Sequence, residues 1–341
     1  MNREFLYNIW FWSRFLVTAF AALAIFNYPR TWWQELICAT LLLWSGFFLA
    51  ALCVDIIRFR KISWTISRAI LVLLQALCVV RAGQIVMPYL YATKKASPQI
   101  AYSEPARFLF IDISERVEND RTNALKALVV REDPSIIVLT RFADTPVLEG
   151  VAERFPSRYL SHSSHGRVIE LFSKLMPRGP TRLELGYAAL PGVVGEFLTG
   201  DGQPVIVGAV DLLPPHSQED FLRSRLTSRR LASFLKYART PRIVLGAFRT
   251  SPTSQIVDMY REQLRLRALS FDSGISILPR LVWQSMSFTN ASHVFTARHI
   301  EVSRVAEFRD DDRGFSAVVF DAKIPRETLI PEERPSYGSN N

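Results

Sequence analysis

The sequence predicts an α/β protein in which two mixed β-sheets pack face to face with helices outside, preceded by three transmembrane helices. Three observations lead there. Residues 5–26, 32–57 and 66–90 are long apolar stretches with few charges, each sufficient to cross about 30 Å of hydrocarbon. Residues 106–139 read as strand, helix, strand, the pattern of a parallel crossover. Beyond them come many short strand-like pieces parted by Gly and Pro, with one long basic helix among them.

The charge distribution supports a membrane region at 1–91. That region carries eight basic against three acidic side chains, and the rest of the 341-residue chain carries 33 against 29. More than half of the net charge of +9 therefore belongs to the apolar end, so the basic pI is no argument for nucleic acid as a partner. Trp10, Trp12, Tyr28, Trp32, Trp33, Trp64, Tyr89 and Tyr91 sit near the ends of the three stretches, where amphipathic rings favour the headgroup level. Arg58, Arg60 and Lys61, with Arg68 beyond, make the most basic short loop. The positive-inside rule places it in the cytoplasm, so that a three-pass topology has a cytoplasmic N-terminus and an extracytoplasmic C-terminal domain. Lys94 and Lys95 weakly oppose that assignment. Arg14 lies near the inner end of the first stretch and is expected to snorkel; Arg81 is deeper and either faces another helix or marks a half-buried span. No small-residue cleavage pattern precedes Tyr28, so a cleaved signal peptide is not expected. Cys38, Cys53 and Cys78 all fall in this region, leaving the rest of the chain without a thiol or disulfide.

After a polar linker at 92–105, an apolar strand at 106–113 opens the domain. A helix-like run at 119–131 ends at Asp133-Pro134, and a second buried strand follows at 135–139. A helix at 146–154 and a polar turn at 159–162 come next, then strand-like pieces at 168–172, 181–187, 193–198 and 204–211. The basic helix at 218–238 feeds an apolar strand at 242–245, which ends at Gly246 and a loop closed by Pro252. A helix at 253–264 and strands at 287–289, 293–296, 301–308 and 316–324 complete the domain, and the Pro-rich tail at 325–341 is expected to be disordered.

The order of these landmarks resembles the endonuclease/exonuclease/phosphatase superfamily over 106–324, including its membrane-tethered branch. Gly246-Ala247-Phe248-Arg249 with Pro252 matches the family's Gly-Asp-Phe-Asn loop and its proline, and Ser292-His293-Val294-Phe295 resembles its Asp-His-x-Phe strand. The resemblance implies a four-layer α/β sandwich and metal-dependent phosphoester hydrolysis. This chain departs from it where the chemistry lies. Asp112 stands for the first-strand Asn and Arg141 for the metal-binding Glu; Asp211 stands for the His of the middle strand. Ala247 and Arg249 replace the loop Asp and Asn, Ser292 precedes the retained His293, and the terminal Ser-Asp-His falls at Arg313-Gly314-Phe315. Hard divalent cations need clustered oxygens, and a hydrolytic water needs a base within reach. A cation at 141 and an aromatic ring at 315 oppose both.

The expectation is therefore a membrane-anchored, catalytically inactive phosphodiesterase-like domain that binds or scaffolds, with no cofactor and no metal site. Its partners are the lipid bilayer and either a membrane protein or an anionic ligand, for which Arg141 and Arg249 are the candidate clamp. The alternatives are an active phosphoesterase or nuclease with rearranged ligands, which alone would call for Mg²⁺ or Mn²⁺, and a structural subunit of a membrane complex. Other motifs read more simply as surface. His162 and His165 lack further ligands, Asp310-Asp311-Asp312 lacks calcium-loop spacing, and Arg223, Arg225, Arg229, Arg230, Lys236 and Arg239 form a solvated helix face. The glycosylation-like triplet at Asn290 overlaps a strand start.

Overall fold

The computed structural model describes residues 3–26, 31–39, 41–58, 66–90, 101–113, 121–143, 148, 150–163, 166–182, 185, 190–214, 216–250, 254–269, 292–310 and 313–326. The expectations at Lys94, Lys95, His165, residues 287–289, Asn290, Asp311, Asp312 and most of the linker and tail lie outside them.

The apolar end forms helices α1 (Arg3–Phe26), α2 (Trp32–Ala39), α3 (Leu41–Arg58) and α4 (Ile66–Leu90). Among the described residues, three membrane-spanning helices are not found. Among the described residues one run, Ile9–Phe26 in α1, is long and apolar enough to cross a membrane, and 33% of it is buried inside the protein. The three-pass topology, with its extracytoplasmic C-terminal domain, is corrected accordingly. Arg14 does not snorkel either. It is buried, donating from Nη2 to Gln75 Oε1 at 3.1 Å, while Gln75 Nε2 donates to Thr18 Oγ1 at 3.2 Å. Arg81 is exposed and donates to Gln84 of its own helix.

The remaining chain folds as two six-stranded mixed sheets. The first has strands β1 (Ala106–Ile113), β2 (Ile136–Phe142), β3 (Ser157–His162), β4 (Arg167–Ser173), β11 (Glu301–Asp310) and β12 (Phe315–Lys323), in the order β11-β12-β1-β2-β4-β3. The second has β5 (Met176–Pro177), β6 (Gly192–Leu198), β7 (Pro204–Asp211), β8 (Arg242–Ala247), β9 (Leu266–Ala268) and β10 (Ser292–Ala297), in the order β5-β6-β7-β8-β10-β9. Each sheet has one parallel pair flanked by antiparallel neighbours. The pairs are β1 with β2, joined through helix α5 (Arg121–Glu132), and β7 with β8, joined through helix α6 (Gln218–Lys236). Parallel neighbours need such crossovers, and the crossovers cover the outer faces.

Strand β1 shows how the layers form. Phe108 and Phe110 join the core between the sheets, whereas Leu109, Ile111 and Ile113 join a second core under α5 with Leu125, Leu128 and Val129. Both faces are buried, so the strand reads as a continuous apolar run. Phe108 stacks on Phe320 of β12 at 5.3 Å. Between β8 and β10, Phe248, Tyr260 and Phe295 form a buried aromatic cluster.

Local differences have local causes. The turn expected at 159–162 is the edge strand β3, whose polar residues are tolerated because one side of it is unpaired. The helix expected at 146–154 is represented by a 3-10 turn at Ala152–Arg154, and 253–264 becomes helix α7 (Gln255–Asp258) running into a π turn at Met259–Gln263. Of the strand expected at 181–187, Arg182 pairs with Val194.

Candidate functional site

Ligand sites of α/β sheets sit beyond the carboxyl ends of parallel strands. Here two such ends meet between the sheets. In the first sheet Asp112 of β1 is in register with Thr140 of β2, and in the second Asp211 of β7 is in register with Ala247 of β8. Alternation along β1 and β7 aims both aspartates inward, with Phe110 and Ala209, into the core between the sheets. Both are buried.

Two guanidinium groups hold them. Arg249 donates from Nη2 to Asp112 Oδ1 and from Nη1 to Asp211 Oδ1, each at 2.9 Å, and from Nη1 to the Leu212 carbonyl at 3.1 Å. Arg167, at the start of β4, donates from Nε to Asp211 Oδ2 at 2.6 Å, from Nη2 to Asp112 Oδ1 at 3.3 Å, and from Nη1 to the Ile113 carbonyl at 3.0 Å. Thr140 Oγ1 donates to Asp112 Oδ1 at 2.5 Å, and the Arg167 guanidinium lies 4.5 Å from the centre of the Phe142 ring. The cluster carries two negative and two positive charges, bound across both sheets.

Burial is the largest influence on Asp211. It pushes the carboxyl upward, against the pull of Arg249 and Arg167, while Asp112 adds to the rise. For Arg249, burial alone would lower the pKa, but Asp112 and Asp211 outweigh it and the guanidinium is held above its ordinary value. An ion pair this dry is stable only with its hydrogen bonds satisfied. One atom departs from that condition, because Asp112 Oδ2 is buried without a partner.

The other residues singled out in the sequence divide by face and register. Arg141 follows Thr140 in β2, so it points to the opposite face, where Nε donates to Glu170 Oε1 at 2.8 Å and Nη2 binds the same oxygen. The proposed clamp of Arg141 with Arg249 therefore does not assemble. Phe315 is in register with Ile113 and packs in the outer core under α5, whereas Ser316 is the residue paired with Asp112. The backbones of Ser292 and His293 pair with Ala247 and Gly246, beside the central loop. Asp310 is engaged by Arg313 at 2.6 Å, and His162 is exposed on β3.

Arg167 and Thr140 were missed in the sequence. The signal for Arg167 was its parity: it leads β4 in step with inward Ile169 and Leu171. A cation at an inward position of a strand requires a buried anion opposite.

The family resemblance implies a divalent metal at this place, and the donor set does not fit one. A hard cation needs several free carboxylate or carbonyl oxygens. Three of the four aspartate oxygens here already accept from guanidinium or hydroxyl groups, and two arginines repel an incoming cation. Among the described residues no group of three or more His, Cys, Asp or Glu is placed to hold a metal.

No family model matches the chain, and no curated protein sequence matches it. The solved structures it resembles include endonuclease/exonuclease/phosphatase proteins. The catalytic domain of human Nocturnin, solved with a bound sulfate, aligns with a TM-score of 0.49 at 13% identity, covering 67% of this chain and 100% of that one. An endonuclease/exonuclease/phosphatase from Beutenbergia cavernae aligns at 0.49 and 15% identity, covering 65% and 72%. A family protein from Bacteroides thetaiotaomicron aligns at 0.45 and 13% identity, covering 66% and 97%.

Proposed function

We propose that this chain is a membrane-anchored, catalytically inactive phosphodiesterase-like protein whose domain at 106–324 binds or scaffolds. The observation that carries the reading is the double engagement of Asp112 and Asp211 by Arg167 and Arg249. Guanidinium groups supply there the positive charge that a metal would otherwise bring, and they cannot polarise a phosphoryl oxygen or acidify a water as a bound divalent ion does. Helix α1 is the candidate anchor, since its apolar run is mostly unburied and exposes Trp12, Leu16, Phe20 and Leu23.

The test is a calorimetric titration of the full chain in detergent with Mg²⁺ and Mn²⁺, paired with a panel of phosphomonoesters and phosphodiesters. Neither binding nor turnover is expected. Tight Mn²⁺ binding that disappears in Asp112→Asn or Asp211→Asn, or hydrolysis lost in the same variants, would sink the reading. A second reading, a small-molecule pocket, draws on the unpartnered Asp112 Oδ2. A ligand hydroxyl or amine donating to that oxygen would complete the cluster without chemistry, and a thermal-shift screen of polyols and amines against wild type and Asp112→Asn checks it.

A further inference from the structure

Helix α6 keeps apolar side chains in water. Leu222 is 50% exposed, Leu226 40% and Tyr237 78%. With Ser233 they fall on one line of the helix, opposite the buried Phe221, Ser228, Leu231 and Leu235. Exposed Arg229 and Lys236 flank that line. They also edge a groove of about 560 Å³ between α6 and α7, whose far side includes Met259 and Glu262. The same helix touches the apolar end of the chain, for Gln218 at its start accepts from the backbone N–H of Trp32, the first residue of α2, at 3.4 Å. Leucines and an aromatic ring set among cations are the composition of a helix that lies in a membrane interface. A nucleic acid would use the cations but leave both leucines in water.

We propose that the outer face of α6 lies on the bilayer into which α1 inserts, with Leu222, Leu226 and Tyr237 in the headgroup layer and Arg229 and Lys236 holding anionic phospholipid headgroups. The proposal rests on the anchoring part of the function proposed above. It fixes the orientation of the domain, bringing α6 and α7 to the membrane.

The full chain, with its three cysteines changed to Ser and Ser233→Cys added, is reconstituted in phosphatidylcholine vesicles and in phosphatidylcholine with phosphatidylglycerol at about two to one. Labelling of position 233 by a neutral aqueous maleimide should slow about tenfold or more in the anionic vesicles. Arg229→Glu with Lys236→Glu should restore the rate, and a Met176→Cys control on the exposed strand β5 should react equally in both lipids. Equal rates at 233, or slowing that survives charge reversal, overturns the proposal. If the chain fails to float with the vesicles, the anchor and this proposal fall together; if it floats and position 233 stays reactive, only this proposal falls. Should the cysteine-free chain misfold, acetylation of Lys236 relative to Lys126 in the native chain gives the same comparison, with protection in anionic vesicles expected and equal modification overturning it.

Discussion

Arg249 adopts φ 47°, a left-handed conformation for a residue with a side chain, which costs about 1–2 kcal/mol. Its two ion pairs and its bond to the Leu212 carbonyl offset that cost. Arg249→Ala would leave Asp112 and Asp211 buried with Arg167 as their remaining cation, so a loss of about 3–5 kcal/mol in denaturant unfolding is expected. Arg249→Lys should recover little of it, because one ammonium cannot span both carboxylates as a planar fork does. Replacing the cation with oxygens tests the converse. Ala247→Asp with Arg249→Asn should create measurable Mn²⁺ binding by calorimetry, and no gain would show that Arg167 alone keeps the aspartates closed. The site was legible in part at this scale. Asp112, Asp211 and Arg249 stand out as polar residues at strand ends, while Arg141 and Arg167 look equivalent until parity assigns one to each face of the sheet.

At the scale of elements, the parallel pair β7/β8 depends on Gly246. A Cβ there would lie 2.3 Å from the Val210 carbonyl oxygen, which is backbone and cannot turn aside. Gly246→Ala should force the strands apart and cost about 1–3 kcal/mol as an overpacked core does, seen as a lower denaturant midpoint. The substitution should also disturb the cluster, since Asp211 and Ala247 share a register position in that pair. The element pattern was readable wherever a strand or helix was continuously apolar or cleanly amphipathic, as in β1, β8 and α6. Edge strand β3 was read as a turn because an edge position removes the need for apolar alternation.

Across the whole molecule, charges on the domain and on the apolar helices act on one another. Burial pushes the Asp258 carboxyl from its ordinary 3.8 up to about 6, with Glu262 adding to the rise and Arg261 and Arg81 of α4 opposing it. The folded chain thus holds this proton more tightly than the unfolded chain. The contribution to stability is full below the ordinary carboxylate pKa and is lost as pH rises through about 6. Asp258→Asn should therefore raise the thermal midpoint above pH 7 and leave it unchanged near pH 4. With allowance for solvent screening at a half-buried group, the gain is about 1 kcal/mol, or about 2–4 °C. A midpoint that rises equally at both pH values would remove the electrostatic explanation.

Order and composition were enough to read a crossover domain, because a strand-helix-strand pattern depends on neighbours in the chain. They were also enough to mark an apolar end, though not to count its membrane spans. Where a polar residue of that end finds its partners, as Gln75 does in Arg14 and Thr18, depends on how the helices pack. The identity of the groups that hold Asp112 and Asp211 was decided only in three dimensions. Arg167 and Arg249 are far apart in sequence and reach the same two carboxylates from opposite sheets. Buried charges must find opposite charge wherever the fold brings it.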